Sequence, residues 1–237
     1  MKVHPVMKPT LRGEIVQLLP IAAMFILGAA CWPYVPDRIP VHWNIQGEVD
    51  GYGGKFTGLI LLPLVMLGIY VLLRVLPMFD PGRANYPNFA STYNMIRFTL
   101  TLFFCCIYIV GILVSLGYKV SMNTVIGLAM GLLFIILGNV MGKIRPNWFV
   151  GVRTPWTLSS KLSWTKTHRL AGWLFILMGL MAVAWGIIQT QWMLVSMVTV
   201  DVACGIWMMV YSYLVYAKDP DRITPAGTQP YSNSAAE

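Results

Sequence analysis

The sequence predicts an all-α polytopic integral membrane protein, a bundle of six transmembrane helices. Of its 237 residues, 57% are hydrophobic and 11% are charged, whereas a typical soluble domain is about 25% charged. Six long apolar segments account for this excess, and each approaches the roughly 20 residues that cross a bilayer as a helix. The segments are apolar on every side and do not alternate, which excludes a β-barrel. The composition also excludes an ordinary soluble enzyme, a disordered chain and a disulfide-stapled secreted module.

The predicted helices cover residues 14–33, 57–76, 97–117, 121–141, 170–188 and 192–216. The last two share one apolar run that is too long for a single span, and we divide it at the polar sequence Gln189-Thr190-Gln191. Basic residues before the first apolar run imitate a signal peptide. We interpret this segment as an uncleaved first helix, because Gly28 stands three residues before Cys31, where a lipoprotein cleavage box usually has a larger aliphatic residue.

The basic residues predict the orientation. Fourteen of the 17 lie in the N-terminal segment, the second and fourth connections and the C-terminal tail; the other three are Arg38, Lys55 and Lys119. By the positive-inside rule, both termini are cytoplasmic. The expected regions are a cytoplasmic segment 1–13, an N-terminal membrane region 14–117 with an extracytoplasmic loop 34–56, a C-terminal membrane region 118–216 with a cytoplasmic loop 142–169, and a tail 217–237. The tail is rich in Pro, Ser, Thr and Asn, and we expect it to be disordered.

The extracytoplasmic loop has the pattern of a small hairpin. Val41, Trp43 and Ile45 alternate as in a short strand, and Asp50-Gly51 is a typical tight turn. We therefore expect a hairpin or an Ω-like cap over this end of the bundle.

Two interpretations of this loop stay open. His42, Glu48 and Asp50 could bind a cation, a lipid headgroup or a peptide, although one histidine with two carboxylates is a weak metal pattern. Alternatively, the loop is only structural and is anchored at the membrane interface by Trp43 and Tyr52. We predict no metal and no other cofactor.

The cytoplasmic loop is dense in aromatic and basic residues around the compact run Arg153-Thr154-Pro155-Trp156. A hydroxyl-capped helix is expected to begin near Ser159 or Ser160 and to continue through Trp164 and His168. The loop is either an interfacial anchor or a specific docking surface.

Asp201 is the acidic residue that the sequence places deep within a span, about nine residues into the sixth helix, or about 14 Å at 1.5 Å per residue. An ionisable residue in the membrane is a candidate functional site. It could be the ion or proton site of a small transporter or channel, or a protonated helix–helix contact.

Two groups of motifs resemble a known family. Gly138-Asn139, the run Gly151-Val152-Arg153-Thr154-Pro155-Trp156-Thr157-Leu158, and then Trp164, Thr167, His168 and Arg169 resemble the SdpI family, which is named for an immunity protein against a secreted peptide toxin. Pro40-Val41-His42-Trp43-Asn44 with Gly47, Asp50-Gly51 and Lys55 is similar to a domain of unknown function common at the N-terminus of such proteins. One departure is Ala171-Gly172, where the family usually has two glycines.

The resemblance implies a non-enzymatic protein of the bacterial plasma membrane that protects its cell from a membrane-active peptide toxin. It also implies a signalling role in which a cytoplasmic transcriptional repressor is captured. The expected partners are the lipid bilayer, a secreted peptide toxin and that repressor, with no direct binding of nucleic acid. The alternative function is a small transporter or channel that uses Asp201.

The candidate site residues come from the two groups of motifs, one in the extracytoplasmic loop and one in and around the cytoplasmic loop. For toxin contact they are Pro40, His42, Trp43, Asn44, Gly47, Asp50, Gly51 and Lys55. For cytoplasmic docking they are Asn139, Asn147, Gly151, Arg153, Thr154, Pro155, Trp156, Thr157, Trp164, His168 and Arg169. No residue is predicted to be catalytic, since the sequence has none of the His-Glu-x-x-His, Gly-x-Ser-x-Gly or Cys-x-x-Cys motifs.

Overall fold

The computed structural model describes residues 10–222, and the predicted disorder of the tail falls largely on residues 223–237, outside this range. Six helices in the described part are long and apolar enough to span a membrane, which confirms the predicted all-α membrane bundle. The helices are α1 (Leu11–Cys31), α2 (Leu62–Phe79), α3 (Ala90–Ser115), α4 (Met122–Met141), the one-turn α5 (Pro155–Leu158), α6 (Lys161–Ile188) and α7 (Gln191–Ala217).

The start of the third span differs from the prediction. A 3-10 helix, Arg83–Phe89, leads directly into α3, so the helix begins well before the predicted residue 97. The prediction was wrong because it took a charged residue as the boundary. Arg97 is in fact buried inside the helix, and its charge is paired with Glu14 of α1.

The start of α6 agrees with the prediction from hydroxyl capping. Ser160 is the N-cap, and its Oγ accepts a hydrogen bond from the Ser163 N–H at 2.8 Å. The helix then continues without interruption through Trp164 and His168 into the fifth span, as expected. Thr10, Ser121 and Thr190 cap α1, α4 and α7 in the same way.

The bundle consists of two packed groups. α1, α2 and α3 enclose an apolar core that contains Ile21, Met24, Leu59 and Met66. α4 and α6 form the most extensive helix pair, and α7 packs on α6. α3 and α4 are also in contact, as their short connection predicts, and this contact joins the two groups.

Glycines allow α4 and α6 to approach closely. A methyl group added to Gly131 would lie 2.7 Å from the carbonyl oxygen of Gly179, and one added to Gly127 would lie 2.4 Å from Gly186 Cα. Small residues at such a seam bring two backbones into direct van der Waals contact, which is a main source of attraction between helices in lipid.

The predicted hairpin is present, but its turn is elsewhere. β1 (Ile39–Trp43) pairs antiparallel with β2 (Val49–Gly53), so Asp50 and Gly51 lie inside a strand, and the expected turn there was wrong. The chain reverses over residues 44–48, where Asn44 Oδ1 accepts the N–H groups of Gln46 at 3.0 Å and Glu48 at 2.9 Å. Gly47 supplies the positive φ of 81° in this turn. We call the end of the bundle that has this hairpin the hairpin end, and the end that has residues 142–160 the loop end.

Candidate functional site

The exposed face of the hairpin presents a histidine–carboxylate pair. His42 Nδ1 on β1 lies 2.5 Å from Asp50 Oδ1 on β2, and the His42 side chain is 70% exposed. Near the turn, Asn44 Nδ2 donates to Glu48 Oε2 at 3.2 Å, so this carboxylate belongs to the turn and not to the pair. Within residues 10–222 no group of three or more His, Cys, Asp or Glu side chains is placed to hold a metal ion.

The hairpin is fixed to the helices at its tip and at its base. At the tip, Asn123 Nδ2 at the start of α4 donates to the Ile45 carbonyl at 3.1 Å. At the base, Ile39 is buried in the core of the first helix group, and Lys55 Nζ donates to the Trp32 carbonyl at 3.1 Å. Lys55 also lies 3.5 Å from Asp37, so it ties the loop together and is not a free cation. The hairpin therefore forms a rigid platform.

An apolar cavity of about 370 Å³ lies beside β1, between the hairpin, α2 and α3. Val41 and Trp43 of β1 line one side, and Leu61 and Tyr108 line the other. A π-helical turn, Thr57–Leu61, precedes α2 here. Tyr108 Oη of α3 donates to the carbonyl of residue 59 in this turn, at 2.7 Å.

The eight toxin-contact candidates thus lie together on the hairpin or at its base. His42 and Asp50 are exposed. The other six are half-buried, namely Pro40, Trp43, Asn44, Gly47, Gly51 and Lys55. Asn44 and Gly47 are committed to the turn, so His42, Asp50 and Trp43 are the side chains left free to meet a ligand.

At the loop end, Asn147 organises the chain that precedes α5. Its Nδ2 donates to the carbonyls of Arg145 and Val150, at 2.9 and 3.0 Å. Its Oδ1 accepts the N–H groups of Phe149 and Val150, at 2.9 and 2.7 Å. With four hydrogen bonds inside the protein and almost no exposed surface, Asn147 shapes the loop and does not meet a partner.

His168 is a second internal support of this loop. Its Nδ1 lies 2.8 Å from the Trp164 carbonyl, and its Nε2 lies 3.1 Å from the Val152 N–H. Nε2 accepts a hydrogen bond from the Val152 N–H, and Nδ1–H donates one to the Trp164 carbonyl, so the ring is the neutral Nδ1–H tautomer. The ring also stacks on Trp164, with centroids 4.1 Å apart, and only 1% of the residue is exposed.

The docking candidates therefore divide by burial. Asn147, Thr154, Thr157, Trp164 and His168 are buried and leave little side-chain surface for a partner. Their part in docking stays a prediction. Asn139, Arg153, Pro155 and Arg169 are exposed, and Gly151 and Trp156 are half-buried. Arg153, Pro155 and Trp156 stand together at the start of α5, whereas Asn139 lies on α4 and bonds only its own helix, through the carbonyl of Ile135 at 2.8 Å.

The short helix α5 owes its position to hydroxyl groups. Thr154 and Thr157 form a capping box, in which each side chain accepts the backbone N–H of the other, at 3.1 and 2.9 Å. Thr154 Oγ1 also lies 2.9 Å from Ser212 Oγ of α7. These contacts hold Pro155 and Trp156 at the surface, with the Trp156 ring 5.3 Å from that of Tyr213.

Next to α5, a polar cavity of about 710 Å³ contains charges of both signs. Arg145 and Lys161 line it together with Asp219 and Asp221. Asp219 is buried, and its Oδ2 accepts a hydrogen bond from Ser160 Oγ. Sequence reasoning did not single out Asp219, since it follows the last helix and looks like part of the tail.

Asp80 is a further residue that sequence reasoning missed. Its carboxylate accepts the Gly82 N–H at 2.6 Å, Tyr86 Oη at 2.9 Å and the Trp148 N–H at 3.1 Å. It therefore joins the segment between α2 and α3 to the loop before α5, across the two helix groups. The sequence Asp80-Pro81-Gly82 is a turn signal that could have drawn attention to it.

Asp201 lies half-buried on α7, on the same face as the buried Cys204 and Met208. Its Oδ1 is enclosed and has no hydrogen-bond partner in the described part of the chain. A second ionisable group inside a helix is Arg97 of α3, which is buried and forms an ion pair with Glu14 of α1, with nitrogen and oxygen 3.1 Å apart.

Comparison with known proteins agrees with both motif regions. The model of the SdpI/YfhL protein family matches residues 143–212, and that of a domain of unknown function (DUF1648) matches residues 19–67. Immunity protein SdpI of Bacillus subtilis (strain 168) is 24% identical over 208 residues, which are 88% of this chain and 98% of that protein. The uncharacterized membrane protein YbgB of the same organism is 30% identical over 47 residues, 20% of this chain and 52% of that protein.

No solved structure matches the chain. The match over residues 19–67 contains the hairpin, and the match over residues 143–212 contains α5, α6 and most of α7. The predicted resemblance to the SdpI family is therefore confirmed, and the chain is a multi-pass membrane protein with similarity to an immunity protein.

Proposed function

We propose that this chain is a non-enzymatic immunity protein of the bacterial plasma membrane, which protects its cell against a membrane-active peptide toxin. The similarity to Immunity protein SdpI over 98% of that protein's length supports an immunity role. The observation that carries the location of toxin contact is the rigid hairpin with its exposed His42–Asp50 pair beside an apolar cavity.

The orientation is part of this proposal. Basic residues are concentrated at the loop end, including the exposed Arg153 and Arg169, and the positive-inside rule assigns that end to the cytoplasm. The hairpin then faces outward, where it meets a toxin before the toxin enters the bilayer. Both termini are cytoplasmic in this arrangement.

The platform suits the capture of an amphipathic peptide. The His42–Asp50 pair offers polar contacts on the exposed side, and the cavity beside β1 offers an apolar surface next to it. Because the hairpin is fixed at its tip and base, binding costs little ordering of the protein.

A survival assay tests the proposal. The gene is deleted in its native host, and growth is measured against a panel of membrane-active peptides, with wild type, His42→Ala or the control Lys119→Ala restored at equal membrane abundance. Lys119 is exposed on the connection between α3 and α4, at the same end of the bundle but outside the hairpin strands and turn. Wild type and the control should restore resistance. Cells that carry His42→Ala should be killed at a roughly tenfold lower peptide concentration, as expected when a charge-assisted contact is lost. No sensitivity of the deletion strain to any peptide would refute immunity.

A signalling role is a second candidate, favoured by the surface at the start of α5. Arg153 and Pro155 are exposed, and Thr157 and Leu158 at the other end of α5 line the mixed-charge cavity. An exposed basic residue close to such a cavity suits docking of a cytoplasmic transcriptional repressor. Toxin binding could control this surface only if toxin prefers one of two conformations. Arg153→Ala should then abolish the response of a transcriptional reporter while protection against the peptide remains. An unchanged reporter response would argue against signalling.

Transport is the alternative function, favoured by the enclosed and unpartnered Oδ1 of Asp201 within residues 10–222. If α7 carries an ion or proton site there, Asp201→Asn abolishes function at unchanged abundance. Loss confined to this variant, with His42→Ala fully active, would favour transport over immunity.

A further inference from the structure

A charged cluster at the loop end lies where α1, α2 and α3 meet. The Glu14 carboxylate accepts a hydrogen bond from Tyr70 Oη at 2.6 Å and from Arg97 Nη2 at 3.1 Å. Its other oxygen lies 3.4 Å from Arg74 Nε. Since arginine stays protonated in proteins, the three charged side chains hold two positive charges and one negative charge.

The two arginines share this carboxylate unequally. Arg97 is 2% exposed, and its terminal nitrogens bond Glu14 and Asn94. The Arg74 side chain is 28% exposed, and its Nε lies 3.4 Å from a Glu14 oxygen. Among the residues that the structure describes, the two terminal nitrogens of Arg74 donate no hydrogen bond, and Asp80 at the end of α2 forms an ion pair with neither arginine.

The buried part of the cluster is also incompletely satisfied. Arg97 Nε and the Gln17 side-chain oxygen are both enclosed without a hydrogen-bond partner within residues 10–222. A positive charge away from bulk water is costly when no anion balances it. The surplus charge here therefore favours an anion that approaches from the exposed side, where Arg74 lies.

We infer that this cluster binds a phosphate group through the terminal nitrogens of Arg74, with Arg97 adding attraction from behind. A guanidinium presents two parallel N–H donors that match two phosphate oxygens. Basic pockets between membrane helices at headgroup depth bind anionic lipid headgroups in this way. The phosphate comes from an anionic phospholipid or from free inorganic phosphate, and both sources share this chemistry.

Native mass spectrometry of the full chain in a neutral detergent distinguishes the outcomes. Phosphatidylglycerol and phosphatidylcholine are titrated separately onto wild type, Arg74→Gln and the control Arg12→Gln, an exposed arginine at the same end. We expect wild type to prefer phosphatidylglycerol. Arg74→Gln should weaken that binding by about tenfold, the loss expected for a bidentate charge-assisted contact. Arg12→Gln should change it by less than about twofold, because a neutral micelle has no surface potential for Arg12 to exploit.

Calorimetric titration with inorganic phosphate separates the two sources. If wild type binds inorganic phosphate and Arg74→Gln does not, the site is supported and takes free phosphate. If wild type binds phosphatidylglycerol but not inorganic phosphate, the site is supported and takes the lipid headgroup. Equal behaviour of Arg74→Gln and Arg12→Gln toward both probes would overturn the inference. If Arg74→Gln does not fold, Arg74→Lys replaces it, because lysine keeps the positive charge but lacks the two parallel donors. Arg74→Lys should bind either probe several-fold more weakly than wild type. Unchanged binding by Arg74→Lys would also overturn the inference.

Discussion

Replacing Gly151 with alanine should destabilise the loop end through two separable effects. Gly151 has a φ of 108°, a conformation that L side chains rarely adopt, and holding alanine there costs about 1–3 kcal/mol. The added methyl carbon would lie 2.2 Å from His168 Nε2, so the ring must move away from the Val152 N–H that it accepts. Losing that hydrogen bond costs about 0.5–1.5 kcal/mol, and the total is about 1.5–4.5 kcal/mol.

The matched control is Gly142→Ala, also at the loop end. Gly142 has a φ of −68°, and its nearest neighbour for an added methyl group is Arg169 Cγ at 3.7 Å, an ordinary contact. Thermal unfolding of both variants in the same detergent gives the measurement. Gly151→Ala should lower Tm by roughly 3–18 °C, by the usual relation between stability and Tm for a chain of this size, and Gly142→Ala by about 2 °C or less. Equal shifts would show that the conformation of Gly151 and its contact with His168 contribute nothing.

Two other substitutions test how the bundle is joined. Asp80→Ala removes the acceptor for the Trp148 N–H and should lower the free energy of opening of the loop before α5 by about 1–3 kcal/mol. Limited proteolysis should then cleave this loop faster, and an unchanged cleavage pattern would contradict a linking role. Gly131→Val places a branched side chain 2.7 Å from the Gly179 carbonyl and should lower stability by about 3 kcal/mol or more, whereas Gly111→Val, with nothing within 4 Å, should be near neutral by thermal unfolding. Similar Tm values for these two valine variants would mean that the glycine seam is not tightly packed.

The six spans could be predicted because their cause is local. A segment of about 20 apolar residues must be helical in lipid whatever its neighbours are, since each backbone polar group has to be satisfied within the segment. The capping hydroxyl of Ser160 is equally local, and the start of α6 was predicted for that reason. Charge was a weaker guide, because Arg97 looks like a boundary until Glu14 is known to stand opposite it.

The hairpin shows a mixture of the two cases. Its strands follow from local alternation, but the turn that we predicted at Asp50-Gly51 lies at residues 44–48 instead. The side-chain hydrogen bonds of Asn44 and the contact of the hairpin tip with Asn123 of α4 stabilise the turn at residues 44–48. The second contact joins residues 78 positions apart, so no local pattern contains it.

The candidate residues of the loop end were found as a group, but their individual roles were not. The run from Gly151 to Thr157 is conspicuous in the sequence, yet a buried residue and an exposed one look the same there. His168 and Asn147 are internal supports because their hydrogen bonds close within the fold, whereas Arg153 and Pro155 face outward. The sites proposed for toxin, repressor and phosphate stay predictions.

The sequence by itself determined a six-span helical membrane bundle, its predicted orientation, a hairpin on one connection and a family resemblance, because hydrophobic length, charge placement and short motifs act along the chain. Only the tertiary structure decided which polar groups meet. Glu14 with Arg74 and Arg97, and Asp80 with the loop before α5, combine residues from separate helices. Such pairings depend on how the helices pack, since a buried charge or hydrogen-bonding group is stable only beside the partner that packing brings to it.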